Sequence, residues 1–215
     1  MLRILLADDH EIVRRGLKEL LEEQAGWTVC AEAANGREAV ERAIQSRPQV
    51  AVLDFSMPEL NGLEATRRIR QAAPETEVLI FTMHESEELI REVLAAGARG
   101  YVLKSDATRQ LIPAVESVSR HMPYFSGRVS AVVLDGFLKG RSTQPVALGA
   151  ERLTSREREI MQLLAEGNSN KAIASRLDLS VKTVETHRAA IMRKLELNSL
   201  AEIVRFAVRN HIIQP

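Results

Sequence analysis

The sequence has very few of the residues on which several classes of protein depend. A single cysteine, Cys30, in 215 residues excludes an internal disulfide, so we expect a reduced, buried thiol in a cytoplasmic protein. No apolar run approaches the roughly 20 residues that cross a bilayer. Residues 1–7 are followed at once by acidic residues, without the cleavage site of a signal peptide. We therefore expect no membrane association.

Net charge is also absent, because 29 basic residues balance 29 acidic ones. The balance is not even along the chain. Residues 1–120 hold 15 Lys+Arg and 20 Asp+Glu, a difference of −5, whereas residues 151–215 hold 11 and 8, a difference of +3. An acidic front and a mildly basic back indicate two parts with different functions. An excess of three positive charges is by itself only a weak indication of a nucleic-acid partner.

The first part of the chain alternates short apolar runs with stretches of helical periodicity. The runs lie at residues 3–7, 28–33, 50–53, 78–81 and 100–103. This alternation is typical of a parallel sheet that helices cover on both faces. We predict a doubly wound α/β domain with five parallel strands over residues 1–121.

A segment rich in proline and glycine separates this domain from the rest. Residues 122–150 are predicted to be a linker, in which a short amphipathic helix fits residues 129–138. Residues 151–215 then show a wholly helical apolar pattern, and we predict a small all-α domain with four helices.

Helix-capping residues mark the starts of three of these four helices. Thr154 with Glu157, and Ser199 with Glu202, have the spacing of capping boxes. Ser180 is expected to cap a helix over residues 181–195.

Polar residues at the predicted strand ends suit phosphoryl chemistry. Asp8 and Asp9 follow the first strand, Asp54 ends the third, and Thr82 and Lys104 end the fourth and fifth. These ends meet at one edge of a doubly wound sheet. Three crowded carboxylates repel one another and need a cation, and hard oxygen ligands suit Mg²⁺. An aspartate beside such an ion can attack phosphorus, with the ammonium and the hydroxyl binding phosphoryl oxygens.

The same region resembles the receiver domains of NarL/FixJ-type response regulators. Five segments carry the resemblance: LLADDH at 5–10, VLDFSMP at 52–58, NG at 61–62, FTMH at 81–84 and GYVLKS at 100–105. The resemblance covers about residues 1–120 and implies a flavodoxin-like fold. It also implies that a sensor histidine kinase phosphorylates Asp54.

The resemblance further implies how the site holds its metal ion. Asp9, Asp54 and the backbone carbonyl of Ser56 would ligate Mg²⁺, and Asp8 would assist through water.

It also implies a conformational switch. Thr82 and Tyr101 would form the switch pair, with Tyr101 turning inward on phosphorylation, and Lys104 would bind the phosphate. Ser105 stands where many receivers have proline, which concerns only the local peptide geometry. His84 lies close enough to affect attack by water on the phosphoryl group, although a solvated loop histidine is the simpler interpretation.

Two faces can be distinguished on the predicted helix 181–195. One face should pack on the preceding helices and holds Val181, Val184, Ile191 and Leu195. The opposite face suits a DNA groove and holds Lys182, Glu185, Thr186, Ala189 and Arg193. From spacing alone, a solvated polar face explains this second set equally well.

Four segments resemble the LuxR-type helix-turn-helix over about residues 151–212: LTSRERE at 153–159, GNSNKAIA at 167–174, SVKTVETHR at 180–188 and IMRKL at 191–195. The resemblance implies that helix 181–195 is a recognition helix in the major groove of double-stranded DNA. We expect Lys182, Glu185 and Thr186 near bases. Candidates for phosphate contacts are Lys171, Thr183, Arg188 and Arg193, of which Arg188 leans toward the core side.

Phosphorylation is expected to favour a homodimer on two half-sites. The apolar stripe from Leu200 to Val208 belongs either to the domain core or to the dimer contact. Together these inferences predict a two-component response regulator that binds specific DNA sequences and is not an enzyme.

Three alternatives compete with this prediction. An aspartate-nucleophile phosphatase needs a second Asp two residues after the nucleophile, where Ser56 stands. A LuxR-type regulator that senses a small molecule would leave the carboxylates unexplained. A LuxR-type regulator that works without phosphorylation is opposed by the complete acidic site.

Overall fold

The computed structural model describes residues 1–127, 129–131, 153–210 and 212–213, and all of their side chains except that of Thr108. The chain divides into two units, Met1–Ser142 and Thr143–Pro215. Most of the helix predicted at 129–138, and all of the linker segment at 141–150, lies outside the described residues. The domain limits inferred from the sequence stay a prediction.

The first unit alternates strands and helices. Its strands are β1 (Leu2–Ala7), β2 (Trp27–Ala33), β3 (Val50–Leu53), β4 (Glu77–Thr82), β5 (Gly100–Leu103) and β6 (Tyr124–Phe125). The helices that lie between these strands are α1 (Glu11–Glu22), α2 (Gly36–Ser46), α3 (Gly62–Ala72), α4 (Glu87–Ala95) and α5 (Ala107–Ser119). A short 3₁₀ turn, Lys104–Asp106, precedes α5.

The strands form one parallel sheet in the order β2-β1-β3-β4-β5-β6, which confirms the predicted flavodoxin-like fold. The predicted number of five strands was wrong. A sixth strand, Tyr124–Phe125, pairs with β5, and the Tyr124 amide donates to the Arg99 carbonyl at 3.1 Å. Two residues are too few to show a period, so the sequence pattern could not reveal this strand.

Two apolar layers cover the two faces of the sheet. Along β1, Ile4 and Leu6 point into the layer with α1 and α5, whereas Leu5 and Ala7 point into the layer with α2, α3 and α4. The central strands β3 and β4 are buried throughout, which explains their continuous apolar runs. Cys30 is only half-buried, contrary to expectation, because β2 lies at the edge of the sheet.

The second unit is helical, as predicted. Its described helices are α6 (Ser155–Ala165), α7 (Asn170–Arg176), α8 (Val181–Leu195) and α9 (Leu200–Arg209). None of the helices in the described part of the chain is long and apolar enough to span a bilayer.

The caps of these helices follow the sequence closely. Thr154 and Glu157 form the predicted capping box, with hydrogen bonds of 3.2 and 2.7 Å in the two directions. Ser199 accepts from the Glu202 amide at 3.2 Å, but the Glu202 carboxylate accepts from Asn198 rather than from Ser199. The second capping box is therefore incomplete.

Packing of α8 agrees with its predicted apolar face except at its first residue. Val184 and Ile191 are buried and Leu195 is half-buried in the core, whereas Val181 is 41% exposed. Val181 lies about 60° around the helix from Val184, at the margin of the buried face.

A buried carboxylate joins four segments of the first unit at the end of the sheet where β4 begins. Glu77 on β4 bonds Arg99 at 3.0 and 3.1 Å, His121 at 2.8 Å and Arg70 at 3.3 Å. Burial raises the pKa of Glu77, but the hydrogen bonds from Arg99 and His121 and the charge of Arg70 outweigh it. The pKa of Glu77 therefore lies below its usual range.

We predict that Glu77→Gln destabilises the first unit by about 2 kcal/mol at neutral pH. Because the folded pKa is depressed, the contribution of Glu77 is present above its unfolded pKa of about 4.3 and is lost as the pH falls through the folded pKa. The difference between wild type and variant should therefore shrink in acid. Urea unfolding followed by the fluorescence of Trp27, the one tryptophan, measures it. Glu116→Gln, on an exposed i,i+4 pair, is the control and should change stability little. A difference that stays constant with pH would contradict the prediction.

Candidate functional site

The ends of β1, β3 and β5 bring three predicted site residues into contact. Asp54 and Asp8 are buried, with 3% and 1% of their side chains exposed. The Lys104 ammonium lies 2.7 Å from Asp8 Oδ2 and 3.1 Å from Asp54 Oδ2. The backbone holds this arrangement, because the Asp54 amide donates to the Ala7 carbonyl at 2.8 Å.

Burial and charge act against each other in this cluster. Burial raises the pKa of Asp54 and the Asp8 charge adds to the rise, whereas Lys104 lowers it; the net shift is upward. Burial lowers the pKa of Lys104, but the Asp54 and Asp8 carboxylates outweigh it and raise that pKa. One ammonium faces two carboxylates, and the Lys104 contact with Asp8 Oδ2 is an ion pair rather than a well-directed hydrogen bond. The site therefore favours a further cation.

Asp9 lies within ion-pairing distance of a histidine, His10. His10 Nδ1 is 2.8 Å from Asp9 Oδ1 and 3.4 Å from Asp8 Oδ1. Within the described part of the chain, Asp8, Asp9 and His10 form the group whose ligand atoms lie within 4.8 Å of one another. Sequence reasoning missed His10, although its place directly after two aspartates was a signal. The oxygen donors of Asp8 and Asp9 fit Mg²⁺. Ligation by Asp54 and by the Ser56 carbonyl stays a prediction.

Gly62 allows the loop after β3 to fold back on the phosphoacceptor candidate. Its amide donates to the Phe55 carbonyl at 2.8 Å. A Cβ atom at Gly62 would lie 2.3 Å from the Asp54 carbonyl oxygen and 2.9 Å from Phe55 Cα. Asn61 accepts from the Glu64 amide at 3.0 Å and begins α3 at this point. The Asn-Gly pair thus fixes where Asp54 lies.

The predicted switch residues meet at His84. Thr82 is fully buried, and its Oγ1 accepts from the His84 amide at 3.3 Å. Tyr101 is also fully buried, and its hydroxyl donates to the His84 carbonyl at 2.8 Å. Tyr101 thus already lies inward, and burial raises the pKa of its hydroxyl far above the usual value.

The simpler interpretation of His84, a solvated loop residue, was wrong. His84 is half-buried, and its Nε2 lies 2.7 Å from Ser56 Oγ. Its ring also packs edge-on against Phe55, with centroids 5.5 Å apart.

The proposed DNA-facing side of α8 is open to solvent. Its five predicted members are all exposed: Lys182, Glu185, Thr186, Ala189 and Arg193. Lys171 on α7 is exposed as well, whereas Thr183 and Arg188 are half-buried. The Thr183 hydroxyl lies 2.8 Å from Ser180 Oγ within the helix cap. Exposure allows contact with DNA, and the individual contacts stay predictions.

One side of the apolar stripe on α9 packs in the core of the second unit, and the other side is partly exposed to solvent. Ile203 and Ala207 are buried in the core, Val204 and Val208 are half-buried, and Leu200 is 41% exposed.

Comparison with known proteins finds matches to both units. Residues 4–116 match the family of response regulator receiver domains, and residues 151–207 match the family described as bacterial regulatory proteins of the luxR family. The oxygen regulatory protein NreC of Staphylococcus epidermidis is 39% identical, over 99% of this chain and 100% of its own. The transcriptional regulatory protein LiaR of Bacillus subtilis is 35% identical, over 99% and 100%.

Solved structures agree with these matches. The response regulator ChrA of a heme-sensing two-component system is 31% identical, with a TM-score of 0.51 over 99% of this chain and 98% of its own. A LuxR-family response regulator from Aurantimonas sp. is 37% identical, with a TM-score of 0.60 over 63% of this chain and 97% of its own.

We predict that Gly62→Ala destabilises the first unit by about 1–3 kcal/mol, because the added methyl group overlaps the Asp54 carbonyl. Gly16→Ala is the matched control. Gly16 lies inside α1, where an added methyl group would meet no neighbouring side chain or strand within 4 Å, so alanine there should raise stability slightly. Urea unfolding of both variants measures the effects. Equal stability changes in the two variants would contradict the role given to Gly62.

Proposed function

The chain belongs to the NarL/FixJ-type response regulators, which join a receiver domain to a LuxR-type DNA-binding domain, and we propose that Asp54 is its phosphoacceptor. The family consists of two-component transcription regulators rather than enzymes. The observation that carries the proposal is the buried Asp54 carboxylate, paired with a Lys104 ammonium that also contacts the buried Asp8.

In the proposed step, a carboxylate oxygen of Asp54 attacks the phosphorus of a phosphohistidine on the sensor kinase. An O–P bond forms and the P–N bond breaks, with its electron pair going to the imidazole nitrogen. The Phe55 amide, 2.8 Å from Asp54 Oδ1, orients the carboxylate. Lys104 then pairs with the negative phosphoryl group.

Asp9, Asp54 and the Ser56 carbonyl would hold Mg²⁺ at this edge, with Asp8 assisting through water. The ion would offset negative charge on the phosphoryl oxygens. The surplus of carboxylates over ammonium groups supports this assignment.

The switch acts through Thr82 and Tyr101. A phosphoryl group on Asp54 would draw the Thr82 hydroxyl away from the His84 amide, from which it accepts at 3.3 Å. The surface formed by α4, β5 and α5 would then change, and the population would shift toward a receiver homodimer, a released DNA-binding unit or both.

The second unit would read DNA with α8. Lys182, Glu185 and Thr186 would lie near bases in the major groove. The residues proposed to contact phosphates are Lys171, Thr183, Arg188 and Arg193. A dimer on two half-sites would use the partly exposed stripe of α9 at Leu200, Val204 and Val208. A regulator of this kind acts in the cytoplasm, where bacterial DNA lies.

We predict that incubation with acetyl phosphate and Mg²⁺ adds one phosphoryl group to the wild-type chain and none to Asp54→Asn. Intact-mass spectrometry measures the addition, and circular dichroism checks that the variant folds. Asp178→Asn is the control, because Asp178 is exposed at a positive φ that asparagine also tolerates. A phosphoryl group on Asp54→Asn would overturn the assignment. Its absence from the wild type would favour a regulator that works without phosphorylation.

We also predict that Arg193→Gln weakens binding to duplex DNA of random sequence. The slope of log affinity against log salt should fall by about 0.9 for each phosphate that the protein no longer neutralises. Titration at several salt concentrations measures the slope. Arg42→Gln makes the same charge change at an exposed position on α2 and should leave the slope unchanged. Equal slopes for both variants would remove Arg193 from the DNA interface.

A further inference from the structure

His84 joins the phosphoacceptor loop to the switch tyrosine through bonds on both its side chain and its backbone. Its imidazole Nε2 lies 2.7 Å from Ser56 Oγ, two residues beyond Asp54. Its carbonyl accepts the Tyr101 hydroxyl at 2.8 Å. One residue in the segment between β4 and α4 therefore makes both contacts.

We propose that Ser56 and His84 form a latch that positions the Tyr101 switch. This inference rests on the proposed function and adds two positioning residues to it. The Ser56–His84 bond fixes the His84 peptide so that its carbonyl faces Tyr101, and the tyrosine therefore stays inward before any phosphoryl group is present.

The ring of His84 is restrained on two sides, and this restraint passes to its backbone. Ser56 holds Nε2, and the Phe55 ring packs against the imidazole at an interplanar angle of 78°. With the ring fixed, the His84 peptide keeps its N–H on Thr82 Oγ1 and its carbonyl on Tyr101. His84 thus anchors the segment between β4 and α4 to the loop after β3.

Two other residues of this segment, Met83 and Ser86, face elsewhere. Adjacent Met83 is 67% exposed. Ser86 directs its hydroxyl to the first turn of α4, where it accepts from the Leu89 amide. Ser86 is therefore a suitable control position for a change at the latch.

The position of Tyr101 depends on the His84 carbonyl. A buried hydroxyl without a partner costs more than an ordinary hydrogen bond contributes. If the His84 peptide rotates, the Tyr101 hydroxyl loses its acceptor inside the domain, and the ring gains by moving out to water. Loss of the latch should therefore favour the outward tyrosine.

The latch also gives a route by which the phosphoacceptor loop acts on the switch. Ser56 lies in the same loop as Asp54, so a shift of this loop changes the Ser56–His84 bond first and the Tyr101 contact second. Because coupling between two sites is reciprocal, fixing Tyr101 inward should also favour the loop position that holds the latch.

The test uses the full, unphosphorylated chain labelled with 3-fluorotyrosine. The chain has two tyrosines, so two ¹⁹F signals are expected, and Tyr124→Phe assigns them. In the wild type, the Tyr101 signal should show a small H₂O/D₂O isotope shift, as for a buried ring. In Ser56→Ala and in His84→Ala, the Tyr101 signal should move toward the chemical shift of solvent-exposed fluorotyrosine. The ratio of inward to outward forms of Tyr101 should fall about three- to tenfold.

Conservative variants and a matched serine control separate a latch from general support of the fold. Ser56→Thr keeps the hydroxyl and His84→Gln keeps a polar nitrogen at similar reach, so both should retain the buried Tyr101 signal. Ser86→Ala removes a serine from the same segment without touching the latch, and it should also leave that signal in place.

A Tyr101 signal that stays buried in both Ser56→Ala and His84→Ala overturns the proposal, as does an equal movement in Ser86→Ala. Trp27 fluorescence reports whether each variant is folded, and either of the two alanine variants suffices if the other unfolds. The measurement needs no phosphorylation. If acetyl phosphate did not modify the wild-type chain, the assignment of Asp54 as phosphoacceptor would be wrong. The ¹⁹F measurement of the Tyr101 position would still test the latch.

Discussion

The contact between Lys104 and two buried carboxylates is the constraint on which the receiver depends. Placing Asp8 and Asp54 out of water is costly, and a single ammonium within 2.7 and 3.1 Å offsets part of that cost. The fold allows this because the ends of β1, β3 and β5 lie side by side. The remaining negative charge favours a further cation at this edge of the sheet.

The same edge of the sheet explains how a local event can reach the surface of the receiver. Thr82 and Tyr101 end or lie within neighbouring strands, and both bond the backbone of His84. A change at Asp54 therefore meets two buried hydroxyls whose partners belong to one segment near the surface. Because buried hydroxyls need partners, the segment has few acceptable arrangements, and this would give the proposed switch its two-state character.

Much of the first unit could be predicted from the sequence, since strands covered on both faces leave continuous apolar runs. Residues 50–53 and 100–103 were predicted with the bounds observed for β3 and β5. Asp8, Asp54 and Lys104 were expected together because parallel strands end at one edge. The contacts of His10 and His84 were not predicted, since they depend on the paths of loops that have no period. Strand β6 was not predicted either, because two residues are too few to show a period.

In the second unit, helical phase placed Val184 and Ile191 correctly but failed for Val181 at the margin of the face. Helical phase also cannot separate a DNA-facing side from a solvated one.

The pKa of Asp54 tests the central constraint most directly. Carboxyl ¹³C NMR of the metal-free chain, titrated with acid, would follow this group in the wild type and in Lys104→Met. The account predicts a wild-type pKa above the ordinary aspartate value of about 3.9, because burial outweighs the ammonium, and a still higher pKa without Lys104. An Asp54 carboxyl that titrates at the ordinary value in both proteins would contradict it.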